Sequence, residues 1–76
     1  MKVTIAKVHE NLFNGDAAQV SVPTTAGIVT ILGHHEPLVA TLAPGTVVVK
    51  GSDGTHEFAV TDGILEVSND QATVLL

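Results

Sequence analysis

Thr46-Val47-Val48-Val49-Lys50-Gly51-Ser52-Asp53-Gly54-Thr55-His56-Glu57-Phe58-Ala59-Val60-Thr61-Asp62-Gly63-Ile64-Leu65-Glu66-Val67-Ser68 is the stretch that decides the fold class. The first run, residues 46–50, carries three consecutive valines. In the second, residues 55–61, Phe58 and Val60 alternate with Glu57 and Ala59, and the third covers residues 64–68. Ser52-Asp53-Gly54 separates the first two runs. Asp62-Gly63, a dipeptide that favours tight hairpin turns, separates the last two. β-Branched and aromatic residues fit the pleated, half-buried surface of a sheet. Short apolar runs bounded by turn residues therefore predict strands.

The same rhythm extends in both directions. Toward the N-terminus, residues 38–42 form a short run closed by Ala43-Pro44-Gly45, which predicts a type II turn with Pro second and Gly third. Gly33-His34-His35-Glu36-Pro37 is a tight break, residues 28–32 a β-branched strand and residues 24–27 a small polar loop. Ala18, Val20 and Val22 alternate with Gln19 and Ser21 until Pro23, which lacks a ladder donor and is expected to end that run. Asn14-Gly15 predicts a hairpin turn. Residues 2–8 set Val3 and Ile5 on one face and Lys2 and Thr4 on the other. Toward the C-terminus, Asn69-Asp70-Gln71 leads into a last strand over residues 72–76. The expectation is one all-β domain over residues 1–76, a sandwich or barrel of about eight to ten short strands. Gly15, Pro44, Gly45 and Gly63 are its structural turn residues.

Composition narrows the function. The 76-residue chain has no cysteine, which rules out disulfides and cysteine-ligated zinc. It shows no cleavable signal pattern, and no apolar run approaches the roughly 20 residues of a spanning helix. The expectation is a soluble protein, or one held at a membrane through other proteins. Net charge is −5, the cations are Lys2, Lys7 and Lys50, and the aromatic residues are Phe13 and Phe58. Nucleic-acid binding calls for clustered cations and stacking aromatics, so that class is set aside. Charged residues make up 14% of the chain, against about 25% in typical soluble domains. A domain this small cannot hide so much apolar surface, and a contiguous exposed patch marks an interaction site.

Residues with chemical potential are few. His34-His35-Glu36 is the one compact run of potential metal ligands, with His9 and His56 elsewhere. It lacks the spacing of a specific metal signature; a polar turn explains it without chemistry. Ser21, Ser52 and Ser68 sit in no Gly-x-Ser-x-Gly elbow. The glycines are spaced as turns, with no phosphate-cradling Gly-Lys-Ser or Gly-Lys-Thr. No catalytic residue and no cofactor are expected. Two other readings stay open on these residues: a stand-alone β-sandwich that binds a ligand or protein, and a metal-dependent enzyme using His34, His35 and Glu36.

Gly27-Ile28-Val29-Thr30-Ile31-Leu32-Gly33-His34-His35-Glu36-Pro37-Leu38, then Leu42-Ala43-Pro44-Gly45, then Phe58-Ala59-Val60-Thr61-Asp62-Gly63-Ile64-Leu65-Glu66-Val67 carry a family pattern in their order and spacing. Leu12-Phe13-Asn14-Gly15, Val20-Ser21-Val22-Pro23 and Ala72-Thr73-Val74-Leu75 extend it over the chain. The sequence resembles the ε subunit of bacterial and chloroplast F-type ATP synthases, in its N-terminal domain. The resemblance implies a two-sheet sandwich of about ten strands. It also implies a non-catalytic place in the rotor stalk, coupling rotation of the c ring through the γ subunit to ATP synthesis. The implied γ contact is the turn His34, His35, Glu36, Pro37 and Leu38. The implied c-ring contact is the loop Thr24, Thr25, Ala26, Gly27 and Ile28. Membrane association would come through the complex, without insertion, on the cytoplasmic face of a bacterial inner membrane or the stromal side of a thylakoid.

Three departures accompany the resemblance. Ile28 stands where relatives often carry an acidic residue, which affects any charge-dependent contact with the ring. His34 stands where they often carry glycine or asparagine, residues that accept a left-handed backbone more easily. No helical pattern follows the sandwich, so the inhibitory C-terminal helical hairpin and its nucleotide site are expected to be missing.

Overall fold

Valine and isoleucine at alternate positions turn inward from both sides of the molecule, and the strands that carry them stack as two sheets. In this computed structural model, which describes residues 1–34 and 36–76, the strands are β1 (Lys2–Lys7), β2 (Glu10–Asp16), β3 (Gln19–Thr24), β4 (Gly27–Leu32), β5 (Leu38–Thr41), β6 (Gly45–Gly51), β7 (Gly54–Val60), β8 (Ile64–Ser68) and β9 (Gln71–Leu75). The larger sheet has the order β2-β1-β9-β8-β5 and the smaller β4-β3-β6-β7. Neighbours run antiparallel except β1 and β9, which pair in parallel. The fold is an all-β sandwich of nine strands among the described residues, where about ten were expected.

The core is built from small branched side chains. The larger sheet contributes Val3, Ile5, Leu65, Val67, Ala72 and Val74, and the smaller Val20, Val22, Ile31, Val47, Val49 and Val60. Ala17 and Leu42 fill the core from the connections between sheets. A domain of this length has roughly 4–11 kcal/mol of total stability at 0.05–0.15 kcal/mol per residue. Truncating one fully buried side chain costs about 2–5 kcal/mol. Ile31, with no exposed surface, is therefore a large fraction of the margin. On one open side, between β2 and β7, Phe13 lies 5.1 Å from the His56 ring and 6.1 Å from Phe58, edge to face.

Four expectations about turns are corrected. Asn14-Gly15 makes no hairpin: Gly15 lies inside β2 opposite Val3, and the chain reverses at Val8-His9 instead. Ladder pairing along the whole of β2 outweighs the local preference of the dipeptide. Pro23 does not end β3, because it pairs with Ile28. Its carbonyl accepts from the Ala43 N–H at 3.0 Å. A residue's N and carbonyl point to the same side of a strand. The missing donor therefore faces the side where pairing with β6 has already stopped, at Ser21. Pro44 and Gly45 make no type II turn: Pro44 is a bend between the sheets, and Gly45 opens β6 opposite Val60. A Cβ on Gly45 would sit 2.9 Å from the Pro23 ring, so that close approach explains the glycine. Asp62-Gly63 bends the chain from β7 in the smaller sheet to β8 in the larger and so makes no hairpin. Gly63 has φ 130°, and a Cβ there would collide with the Leu75 carbonyl oxygen.

Two glycines that look alike in sequence should then behave oppositely. Gly63→Ala combines a disfavoured φ with a backbone collision and is expected to cost about 2 kcal/mol or more. Gly15→Ala meets only Phe13 at ordinary contact distance, 3.6 Å, and is expected to be neutral or stabilising by about 0.5 kcal/mol. Denaturant unfolding of both variants checks this. Strong destabilisation by Gly15→Ala would place it in a turn after all.

Candidate protein-docking site

The expected ring-facing loop is a two-residue hairpin between β3 and β4, with Thr25 and Ala26 at its tip. Thr24 organises it from beneath. Its Oγ1 donates to the Gly27 carbonyl at 2.6 Å and accepts from the Ala26 N–H at 3.2 Å. The Thr25 N–H donates to the Thr41 carbonyl at 3.0 Å, which ties the tip to the opposite sheet. Thr24 is buried, with 5% exposure, and supports the tip from beneath. Thr25, Ala26, Gly27 and Ile28 are exposed, Ile28 to 78%. The tip offers methyl groups and the Thr25 hydroxyl but no charge. It suits another small, uncharged loop.

The second expected surface is the connection from β4 to β5. Gly33-His34 forms a turn, Glu36 and Pro37 are exposed, and Leu38 opens β5 opposite Val67. His35 lies outside the described residues. Leu38 is half-buried and packs against the core, so it anchors the connection more than it presents it. His34 has φ 63°, the left-handed conformation that glycine or asparagine takes more readily. The His34 N–H donates to Asp70 Oδ1 at 2.9 Å, across 36 residues of sequence.

Asp70 belongs to the β8–β9 hairpin, where Asn69 and Asp70 both have positive φ, 49° and 59°. Two consecutive positive-φ residues make the type I′ turn that matches strand twist. The Asp70 carboxyl is held below the ordinary aspartate value, first because it accepts the His34 N–H. Desolvation opposes that, and the charges of the Met1 amine and His34 add smaller downward pulls. The amine stands 3.9 Å from Asp70 Oδ2.

The two surfaces sit at opposite ends of one edge strand. β4 starts at Gly27 and ends at Leu32, five steps of about 3.3 Å or about 17 Å. Along its outer side Ile28 and Leu32 are exposed, at 78% and 55%, while Ile31 is fully buried. Leu32, and Val39 at 69% on β5, were missed from sequence. Leu32 shares a face with Thr30 and Val39 with Thr41, and that one threonine in each run was the sequence signal that could have marked the outward face. Among the described residues, no three His, Asp or Glu side chains come together as a metal site. A cleft of about 500 Å³ by Lys7, His9 and Asp62 shares no residue with either surface.

The profile of the family "ATP synthase, Delta/Epsilon chain, beta-sandwich domain" matches residues 1–76. The chain is 39% identical over 74 residues to the ATP synthase epsilon chain of Polaromonas naphthalenivorans, covering 96% of this chain and 54% of that one. It is 38% identical over 77 residues to the ATP synthase epsilon chain of Neisseria meningitidis, covering 99% and 55%. The chain thus spans about half the length of these relatives. In structure it is similar to a chain of the Euglena gracilis mitochondrial ATP synthase, solved as OSCP, F1 and c-ring, with TM-score 0.88 at 22% identity, covering 96% of this chain and 48% of that one. It is similar also to a chain of the Tetrahymena thermophila mitochondrial ATP synthase, solved as central stalk and c-ring, with TM-score 0.82 at 16% identity, covering 97% and 60%. At those identities the structural likeness speaks for the sandwich alone, while the family profile and the two bacterial sequences speak for descent. The chain belongs to the beta-sandwich domain family of the ATP synthase Delta/Epsilon chain.

Proposed function

We propose that this sandwich is the docking module of a rotor subunit in a proton-translocating F-type ATP synthase, with no active site of its own. The observation that carries the reading is the placement of two exposed surfaces at opposite ends of β4, about 17 Å apart on one rigid body. One end, Thr25, Ala26, Gly27 and Ile28, is assigned to the polar loops of the c ring. The other, His34, His35, Glu36 and Pro37, with Leu38 behind it, is assigned to the γ subunit. A stiff body gripping both at once would hold them in rotational register, so that torque passes without slip. Family membership, relatives named as epsilon chains and structural neighbours solved with a central stalk and c-ring support this reading.

The tip's chemistry limits how it would grip the ring. With Ile28 after Gly27, the contact would rest on shape and apolar burial and would be largely insensitive to salt. The protein would sit peripherally at the membrane through the complex. The bacterial relatives favour the cytoplasmic face of an inner membrane over the stromal side of a thylakoid.

Ile28→Asp and Pro37→Asp separate the two surfaces, since both side chains are exposed. Binding is measured by calorimetry with purified γ and with detergent-solubilised c ring bearing γ. Ile28→Asp is expected to leave the affinity for γ alone unchanged and to weaken ring association about tenfold, or ~1.4 kcal/mol. Pro37→Asp is expected to weaken γ binding by a similar factor. No binding of γ at micromolar concentration by the unmodified chain would overturn the proposal.

A further inference from the structure

The β4–β5 connection contains a backbone conformation that its residue does not favour. His34 holds φ 63°, where a side chain crowds the following carbonyl and only glycine is at ease. With histidine and not glycine at this position, the chain needs something else to keep the turn in shape. The Asp70 carboxylate provides it. Oδ1 accepts the His34 N–H at 2.9 Å and lies 3.4 Å from the Cβ position of Gly33, so it is seated under the turn itself. Asp70 is in turn fixed by its own hairpin, because its carbonyl accepts the Lys2 N–H at 3.1 Å and β9 pairs with both β1 and β8.

We infer that Asp70 is the positioning residue of the γ-facing turn: its carboxylate holds His34 in the left-handed conformation and so presets the direction in which the chain leaves β4 toward the docking surface. This rests on the docking reading given above. An aspartate is ionised at neutral pH, so the bond to the His34 N–H is charge-assisted. Asp70 makes no claim on the partner directly. Its effect is to keep Gly33 and His34 in one conformation before γ arrives, which lowers the ordering cost of association.

The β8–β9 turn offers a clean substitution. Asp70→Gly removes the carboxylate and leaves Asn-Gly, the dipeptide that type I′ turns favour, so the hairpin and the fold are preserved. Asp70→Asn keeps an oxygen acceptor without the charge. Amide exchange at residue 34 and affinity for purified γ are measured in these variants, in His34→Gly and in the Asp70→Gly, His34→Gly double variant. In Asp70→Gly, His34 exchange is expected to accelerate about tenfold and γ binding to weaken about three- to tenfold, with the cooperative thermal transition retained. Asp70→Asn is expected to lie between Asp70→Gly and the unmodified chain. Glycine accepts φ 63° without strain, so in the His34→Gly background the further change Asp70→Gly should alter γ affinity less than about twofold, whatever His34→Gly itself costs. Ring contact through Ile28, at the other end of β4, should not change.

Unchanged His34 exchange and unchanged γ affinity in Asp70→Gly would overturn the inference. So would an equal loss of γ affinity on Asp70→Gly in the unmodified chain and in the His34→Gly background. If the unmodified chain does not bind γ, the docking reading falls, and the exchange rate still decides whether Asp70 holds the turn.

Discussion

The parallel pairing of β1 with β9 is the interaction on which the rest of the sandwich depends. Lys2 aligns with Gln71, Val3 with Ala72 and Ile5 with Val74, so the first and last strands lie side by side in the middle of the larger sheet. Val3, Ile5, Ala72 and Val74 have no exposed surface. The pairing therefore closes the sheet and the core at once. Parallel strands cannot be joined by a tight hairpin. Here the whole intervening chain, with the entire smaller sheet, is the crossover. Nothing in the core is complete until the two ends meet, which makes the domain cooperative and its folding dependent on distant contacts.

That closure also positions the candidate site. β9 brings the β8–β9 hairpin beside the start of β1, where the Lys2 N–H holds the Asp70 carbonyl. From there the Asp70 side chain reaches the β4–β5 connection. The far tip depends on a different tie, the Thr25 N–H to the Thr41 carbonyl, together with the bridge between Thr24 and Leu42. Each end of β4 is thus fastened to the opposite sheet. An edge strand left free would flex and expose its ladder; fastened twice, β4 becomes a spacer of fixed length.

The class of fold was legible in sequence wherever alternation was clean. Val3 and Ile5, Val20 and Val22, and Leu65 and Val67 all point inward as their spacing requires. Local turn signals were legible only where strand neighbours agreed with them. Asn14-Gly15 is overridden by ladder pairing with β1, and Asp62-Gly63 bends without forming a hairpin because its flanking strands belong to different sheets. The tip and the turn of the candidate site were named through the resemblance alone, and nothing local in the sequence told that Thr24 is buried and Leu38 half-buried within them. The bond from His34 to Asp70 was beyond reach, since 36 residues separate the partners and no local pattern links them. The unusual apolar composition was read correctly as exposed surface, but its distribution was not. Ile28 and Leu32 extend the candidate site along β4, whereas Val39, Ile64 and Leu75 lie on the larger sheet.

The central claim is that one rigid sandwich touches two partners at the two ends of β4. The chain has no cysteine, so cysteines introduced by Ile28→Cys and Pro37→Cys would be the only thiols it carries. Each variant, assembled into a complete synthase with single cysteines in the c-subunit loop and in γ, can be oxidised and its cross-linked products identified by mass spectrometry. The account predicts that Ile28→Cys captures the c subunit and Pro37→Cys captures γ. Capture of the same partner from both positions, or of neither, would contradict it.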